Sequence, residues 1–165
     1  MTTASTPTTV AVTGATGRIG GAVARLLHGD GVRPRLLVRD PTRVSHWADD
    51  VAVAGYGDRR AATAALAGID VLLMVSASES ADRLAQHRTF IDAAAAAGVR
   101  HVVYTSFLGA AADAVFTLAR THWATEEHLR ASGMGFTLLR DSFYLDFLPD
   151  LAVDGVIAGP AGTGR

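Results

Sequence analysis

The stretch Val10-Ala11-Val12-Thr13-Gly14-Ala15-Thr16-Gly17-Arg18-Ile19-Gly20 decides the fold of this chain. A short apolar run leads into three glycines spaced G-x-x-G-x-x-G, and an amphipathic segment begins at about Gly17. This order predicts a strand, a phosphate-binding loop and a helix, with a tight turn at Gly14 and close helix–strand packing at Gly20. The glycine spacing alone also occurs in ordinary turns, but the strand before it and the helix after it favour dinucleotide binding.

This loop contains the first predicted cofactor contacts. Gly17 allows the backbone to approach a pyrophosphate, and the free amide groups at the start of the helix face the anion. The predicted cofactor-binding residues of the loop are Gly14, Ala15, Thr16, Gly17, Arg18 and Ile19.

The composition is that of an ordinary globular domain. The 165 residues are 49% hydrophobic and 19% charged, with a formal net charge of −1, which gives no support for a nucleic-acid or membrane-surface partner. There is no cysteine, so disulfides, cysteine metal sites and thiol nucleophiles are excluded. The apolar runs are too short to span a membrane and the first nine residues do not resemble a signal peptide, so a cytoplasmic location is expected.

Strands alternate with helices along the chain, after a flexible tail predicted for residues 1–8. This alternation predicts an α/β fold, a Rossmann doubly wound parallel sheet with strand order 3-2-1-4-5-6, as one domain over residues 9–165. The predicted strands are 9–13, 35–39, 51–54, 70–76, 101–106 and 136–140, with a further short strand at 156–157. The predicted helices are 17–28, 59–67, 81–97 and 113–131, with a short helical piece after Pro41.

Arg39 ends the second predicted strand, where an NAD-binding protein usually places an acid for the ribose 2′-hydroxyl. A guanidinium there favours a 2′-phosphate by charge and bidentate geometry, with Arg18 in support, so NADPH is predicted over NADH. The alternative is that both arginines are solvated surface residues. Asp40 either repels the phosphate or caps the turn before Pro41.

Ser76, Ala77 and Ser78 follow the fourth predicted strand, at the edge where open α/β sheets bind ligands. They are predicted to line the cofactor ribose or nicotinamide, and the alternative is a polar strand-to-helix turn.

Asp58 either neighbours the adenine or caps the next helix. His87 lies on an apolar stripe and is predicted to be a buried structural residue. No histidines show metal-ligand spacing, so no metal site is predicted.

A series of short motifs keeps its order and spacing along nearly the whole chain. Together they resemble the NmrA-like branch of the atypical short-chain dehydrogenases/reductases, within the group of bacterial NAD(P)H:quinone oxidoreductases and triphenylmethane reductases. The motifs are TGATG at 13–17, VRDP at 38–41, YGD at 56–58, SASE at 76–79, QHR at 86–88, AGV at 97–99, YTS at 104–106, TE at 125–126, SG at 132–133, TLLR at 137–140 and GPAG at 159–162.

The resemblance also implies what this chain lacks. Family members continue past residues 159–165 into the end of the sheet and a small C-terminal substrate-binding lobe. The chain is therefore expected to be the N-terminal part of a longer protein, with a genuinely shortened relative as the alternative.

The resemblance implies the catalytic positions as well. Ser106 falls on the catalytic serine of short-chain dehydrogenases, Thr105 beside it on a cofactor contact, and the Tyr-x-x-x-Lys pair falls on Leu118 and His122. The missing tyrosine fits reduction of a quinone, because the product oxyanion is stabilised and water can protonate it. His122 is expected to bind the nicotinamide ribose or stabilise the product anion, or else to be a structural partner of Glu126.

By the same resemblance, the segment after the sixth strand faces the substrate. The expected substrate residues are Arg140, Asp141, Phe143 and Tyr144. The two aromatic rings either stack on a flat quinone or seal the core.

Two function classes follow from the resemblance. The first is an NADPH-dependent reductase that transfers hydride to a quinone-like small molecule, with no flavin and with a homodimer as an open expectation. The alternative is a non-catalytic NmrA-like sensor that binds NADP(H) and signals redox state through a partner protein.

Overall fold

The computed structural model describes residues 8–145 together with Pro149 and Val156. The predicted tail up to residue 7, the second residue of the strand at 156–157 and the motif at 159–162 lie outside the described residues. The strands are β1 Val10–Thr13, β2 Arg35–Val38, β3 Val51–Val53, β4 Val71–Met74, β5 His101–Phe107 and β6 Gly135–Asp141. The helices are α1 Arg18–Gly29, α2 Arg59–Ala65, α3 Arg83–Ala97 and α4 Thr117–Ala131, with a short 3-10 turn at Pro41–Arg43.

The six strands form one parallel sheet in the order β3-β2-β1-β4-β5-β6. Val12 of β1 lies opposite Leu36 of β2 on one side and Leu73 of β4 on the other. The predicted fold and strand order are confirmed. Because β2 and β3 lie on one side of β1 and β4 to β6 lie on the other, the strand order reverses between β1 and β4, and ligands of open α/β sheets bind at such a crevice.

Helices cover both faces of the sheet. α2, α3 and α4 pack on one face, where the largest buried side chains include Phe90, Ile91, Leu72 and Leu129. α1 packs on the other face against Val12, Leu36 and Leu73. The nearly continuous apolar strands β1, β2 and β4 are therefore buried on both sides, as parallel strands require.

β4 ends two residues earlier than predicted. The amide of Val75 donates to the Thr13 hydroxyl (2.9 Å) and the amide of Ser76 donates to the Thr105 hydroxyl (2.8 Å). Because side chains take these two donors, Val75 and Ser76 leave the strand ladder and form a loop.

α4 begins at Thr117 rather than at residue 113. The Arg120 guanidinium donates to the carbonyls of Ala114 (2.5 Å) and Val115 (2.9 Å), and Phe116 has an extended backbone. Arg120 thus takes carbonyls that a longer helix would need for its own first turn. α3 begins at Arg83, two residues later than predicted.

Candidate functional site

A cavity of about 650 Å³ opens at the carboxyl ends of β1, β2 and β4. Its size lies within the range typical of cofactor sites. Its walls come from three segments: the glycine loop after β1, the end of β2 through Arg39, and the loop after β4 from Val75 to Ser80. Arg43, Ala54, Tyr56, Gln86 and Tyr144 complete the lining.

The glycine loop is built as its sequence predicts. Gly14 has φ of +63°, which disfavours any other residue, and its carbonyl accepts the Gly17 amide at 2.8 Å. A Cβ on Gly20 would lie only 2.4 Å from the carbonyl oxygens of Thr13 and Gly14, so α1 packs too closely on the loop for a side chain there.

Most of the predicted loop contacts face the cavity. Ala15 instead packs against the hydrophobic core beneath α1. The predicted loop residues that line the cavity are Gly14, Thr16, Gly17, Arg18 and Ile19.

The end of the cavity beside β2 is basic. The predicted phosphate-binding residues Arg39 and Arg18 line it, and Arg43 joins them from the turn that follows β2. Asp40 faces Thr42, accepting from its amide (3.0 Å) and its hydroxyl (2.7 Å), and these bonds hold the pKa of Asp40 below its usual value. Asp40 is therefore the N-cap of the turn at Pro41–Arg43, so that its carboxylate is engaged there.

The other acid considered at this end, Asp58, also acts as a cap. Its carboxylate accepts the Ala61 amide at 2.9 Å and begins α2. Asp58 does not line the cavity.

The loop after β4 is held from below by buried side chains. The predicted cofactor residues Ser76, Ala77 and Ser78 all line the cavity. Thr105 lies behind them, where its hydroxyl accepts the Ser76 amide, and His87 Nε2 accepts the Ala77 amide at 3.0 Å. Thr105 is therefore placed to support the loop from beneath the lining.

Tyr56 is a lining residue for which the sequence predicted no role. Its hydroxyl is 2.5 Å from both the Val75 carbonyl oxygen and Thr13 Oγ1, and burial raises the pKa of Tyr56. It therefore ties the end of β1 to the start of the loop after β4. The only signal in the sequence was the YGD motif, which indicates family and not position.

His87 and His122 belong to one buried polar network. Burial, reinforced by the positive charge of Arg83, lowers the pKa of His87 to about 3 and the pKa of His122 to about 4. Arg83 donates to His122 Nε2 (2.9 Å), so Nδ1 carries the proton and donates to the Tyr104 hydroxyl (2.9 Å). His87 is buried as predicted.

His122 is buried among protein groups, as a structural residue would be, but its partners are Arg83 and Tyr104 and not the expected Glu126. It is 3% exposed, both ring nitrogens contact protein groups, and it does not line the cavity. Its expected partner Glu126 binds other residues.

Glu126 is fully buried and joins α4 to β5 and β6. It accepts from Ser106 Oγ (2.5 Å) and from two nitrogens of Arg140 (2.9 and 2.6 Å), with Arg130 at 3.3 Å. Burial alone would raise the pKa of Glu126, but the hydrogen bonds from Arg140 and Ser106 outweigh it and the pKa is lowered. The Ser106 hydroxyl thus donates a hydrogen bond to the Glu126 carboxylate, and Arg140 forms an ion pair with the same carboxylate.

Of the expected substrate residues, Tyr144 is the one that reaches the cavity. Tyr144 lines the cavity and its hydroxyl donates to Asp141 at 3.1 Å. Phe143 is 57% exposed and its ring contacts Phe107 and Phe116, with centroids 5.3 and 6.0 Å away. Neither aromatic ring is buried in the core.

Within the described part of the chain, no three His, Cys, Asp or Glu side chains come together to hold a metal ion. No described helix is long and apolar enough to cross a bilayer.

The fold and the cavity together define a dinucleotide-binding protein of the Rossmann α/β class. Beyond this class, the chain belongs to the NAD(P)H-binding family, whose model matches residues 14–157.

Individual relatives agree with this assignment. Quinone oxidoreductase 2 of Escherichia coli (strain K12) is 39% identical over 165 residues, covering 94% of this chain and 57% of that protein. The structure of the E. coli NADPH-dependent quinone oxidoreductase with NADPH matches with a TM-score of 0.79 at 39% identity, over 86% of this chain and 52% of that one. Citrobacter sp. triphenylmethane reductase with NADP(H) matches with a TM-score of 0.78 at 33% identity, over 84% and 51%.

These matches confirm the resemblance to the quinone oxidoreductase and triphenylmethane reductase group. The chain spans about half the length of the relatives it matches.

Proposed function

We propose that this chain is the nucleotide-binding part of an NADPH-dependent reductase whose acceptor is a quinone or a similarly conjugated small molecule. The cavity at the β1–β4 crevice and the glycine loop support the dinucleotide. The relatives that carry a quinone reductase name support the acceptor class.

The observation that carries the choice of NADPH is the basic end of the cavity. Arg39, Arg18 and Arg43 line it together, while the neighbouring Asp40 is engaged with Thr42. A 2′-phosphate would contact guanidinium groups there. The carboxylate that would bind the ribose hydroxyls of NADH, and would repel a phosphate, is not directed at this position, because Asp40 binds Thr42.

The hydrogen bonds of Ser106 and His122 suit an acceptor that needs no proton donor from the enzyme. NADPH supplies the hydride when bound. The Ser106 hydroxyl donates a hydrogen bond to Glu126, and neutral His122 donates a hydrogen bond to the Tyr104 hydroxyl. A quinone that receives hydride becomes a hydroquinone anion, which water protonates, so neither side chain has to give up its hydrogen bond.

We place the acceptor beside Tyr144, at the mouth of the cavity. Tyr144 lines the cavity, and the exposed rings of Phe143 and Phe116 continue from it as an apolar wall. Such a wall offers stacking to a flat conjugated ring.

The sensor remains the second candidate, because the two expected catalytic side chains, Ser106 and His122, are both engaged inside the protein. Binding without turnover would then be the function of the site.

The test measures NADPH and NADH binding by calorimetry, and NADPH oxidation with benzoquinone, for the wild type and Arg39→Ala. Loss of a charge-assisted contact should weaken NADPH binding about tenfold or more and leave NADH binding nearly unchanged. Arg60→Ala is the control, since Arg60 is exposed on α2 away from the cavity.

Equal weakening of NADPH and NADH in Arg39→Ala would refute the 2′-phosphate contact. Tight NADPH binding without quinone turnover would favour the sensor. A wild-type chain that binds neither nucleotide would refute the site.

A further inference from the structure

Three backbone groups of the loop after β4 are held by buried side chains. The Ser76 amide donates to Thr105 Oγ1 (2.8 Å), the Ala77 amide donates to His87 Nε2 (3.0 Å), and the Ala77 carbonyl accepts from Arg83 Nε (2.8 Å). The anchors come from β5 and α3, and all three are buried. The loop backbone is thus fixed from the side opposite the cavity.

This anchoring determines which backbone groups remain for a ligand. The peptide bonds of the described residues are all trans, so each carbonyl points opposite to the amide that follows it. With the Ala77 amide turned to His87, the Ser76 carbonyl points the other way. With the Ala77 carbonyl turned to Arg83, the Ser78 amide points the other way. The cavity wall therefore offers one acceptor and one donor, two residues apart.

Arg83 is unusual among these anchors. It is 2% exposed and donates to the Ala77 carbonyl, to Thr121 Oγ1 (2.8 Å) and to His122 Nε2 (2.9 Å). Among residues 8–145 it forms no ion pair with a carboxylate. A buried charge without a counter-ion contributes little to stability, so stability alone does not account for a guanidinium here.

We propose that Arg83 and His87 are positioning residues that hold the Ser76 carbonyl and the Ser78 amide in place for the ribosyl-nicotinamide half of the cofactor. The ribose hydroxyls and the carboxamide of that half supply both the donor and the acceptor that this pair requires. This inference rests on the proposed function.

The position of the loop in the sheet selects this half of the dinucleotide. The basic end with Arg39 follows β2, on one side of β1, and takes the 2′-phosphate of the adenosine half. The loop with Ser76 and Ser78 follows β4, on the other side of β1. A dinucleotide whose pyrophosphate lies over the glycine loop of β1 therefore extends its other half toward this loop.

The experiment compares two ligands, NADPH and adenosine 2′,5′-bisphosphate, which lacks the ribosyl-nicotinamide half. Arg83→Met should weaken NADPH binding about tenfold or more while changing bisphosphate binding by less than about twofold. Arg83→Lys should recover part of the NADPH affinity, because an ammonium can still donate to the Ala77 carbonyl. Arg88→Met, an exposed position on the same helix, is the control and should change neither affinity.

Equal weakening of both ligands in Arg83→Met would overturn the proposal, since a general structural defect acts on both halves. Unchanged NADPH binding would overturn it as well. If Arg83→Met does not fold, His87→Leu and His87→Gln replace it. Leucine cannot accept the Ala77 amide and should lose NADPH affinity selectively, whereas the glutamine oxygen can accept it and should retain that affinity. Equal behaviour of these two variants would also refute the proposal.

The two proposals fail in different ways. A wild-type chain that binds neither ligand would overturn the proposed function together with this inference. A wild-type chain that binds both ligands, with an Arg83→Met variant that does the same, would leave the proposed function in place and overturn only the role of Arg83.

Discussion

Replacing Glu126 by glutamine should destabilise the protein more than any other single charge removal on α4. The carboxylate is fully buried and accepts from Ser106, Arg140 and Arg130, so it joins one helix to the last two strands. Glutamine keeps the volume but removes the charge, and its amide group presents hydrogens to donors.

The magnitude follows from the exposure of the partners. Breaking a buried ion pair by removing one member costs about 3–5 kcal/mol, and a hydrogen bond to a charged group contributes about 1.5–3 kcal/mol. The side chains of Arg140 and Arg130 are each 37% exposed, so water compensates them in part after the change. We therefore expect Glu126→Gln to lower the free energy of unfolding by about 2–3 kcal/mol at neutral pH.

The loss of unfolding free energy in Glu126→Gln should become smaller as the pH falls. The pKa of Glu126 in the folded protein is lower than its ordinary value of 4.5. A lowered pKa means that the carboxylate stabilises the fold fully above the unfolded value and loses this effect as the pH falls through the folded value. The difference between wild type and Glu126→Gln should thus be constant down to about pH 5.5 and shrink below about pH 4.5.

The assay is urea unfolding followed by circular dichroism at several pH values, with Glu127→Gln as the matched control. Glu127 is 52% exposed and pairs only with Arg130 among the described residues, at 3.0 Å. An exposed pair of this kind should change stability by less than about 0.5–1 kcal/mol. A Glu126→Gln variant that loses no more stability than Glu127→Gln, or whose loss grows as the pH falls, would show that the Glu126 carboxylate does not stabilise the fold through these contacts.

Two further predictions concern the glycine loop and the two buried histidines. Gly20→Ala should abolish NADPH binding and lower stability by about 1–3 kcal/mol, because its Cβ would collide with two backbone carbonyls, while Gly29→Ala in the same helix meets nothing within 4 Å and should be tolerated. The ring signals of His87 and His122 in an NMR titration should not shift between about pH 8 and pH 6, because burial lowers their pKa values to about 3 and about 4. Protonation of either ring in that range would contradict the buried network.

The sequence was a good guide where the determining interactions are local. The strand order could be predicted from the alternation of short apolar runs with helices. The phosphate-binding loop could be predicted from Gly14, Gly17 and Gly20, which lie within seven residues of one another. The basic end was also predictable, because Arg39 directly follows a strand whose end must lie at the ligand-binding edge. In these cases the residues that decide the structure are neighbours in the chain.

The interior of the site could not be predicted in the same way. Arg83 is a charged residue in the first turn of a helix, which in sequence is typical of a solvated position. Its burial depends on Thr121 and His122, which are 38 and 39 residues further along the chain. The expected roles of Ser106 and His122 came from a resemblance in position, and a resemblance does not reveal which partner each hydrogen bond finds.

Arg83 links the loop after β4 to α4. One guanidinium contacts the wall of the cavity through Ala77 and contacts α4 through Thr121 and His122. A substitution on α4 that displaces Arg83 should therefore alter the affinity of the loop for its ligand. Because Phe116 immediately precedes α4 and contacts Phe143, the apolar wall that we assign to the acceptor belongs to this same connected unit. Cofactor and acceptor affinity should then be coupled through Arg83.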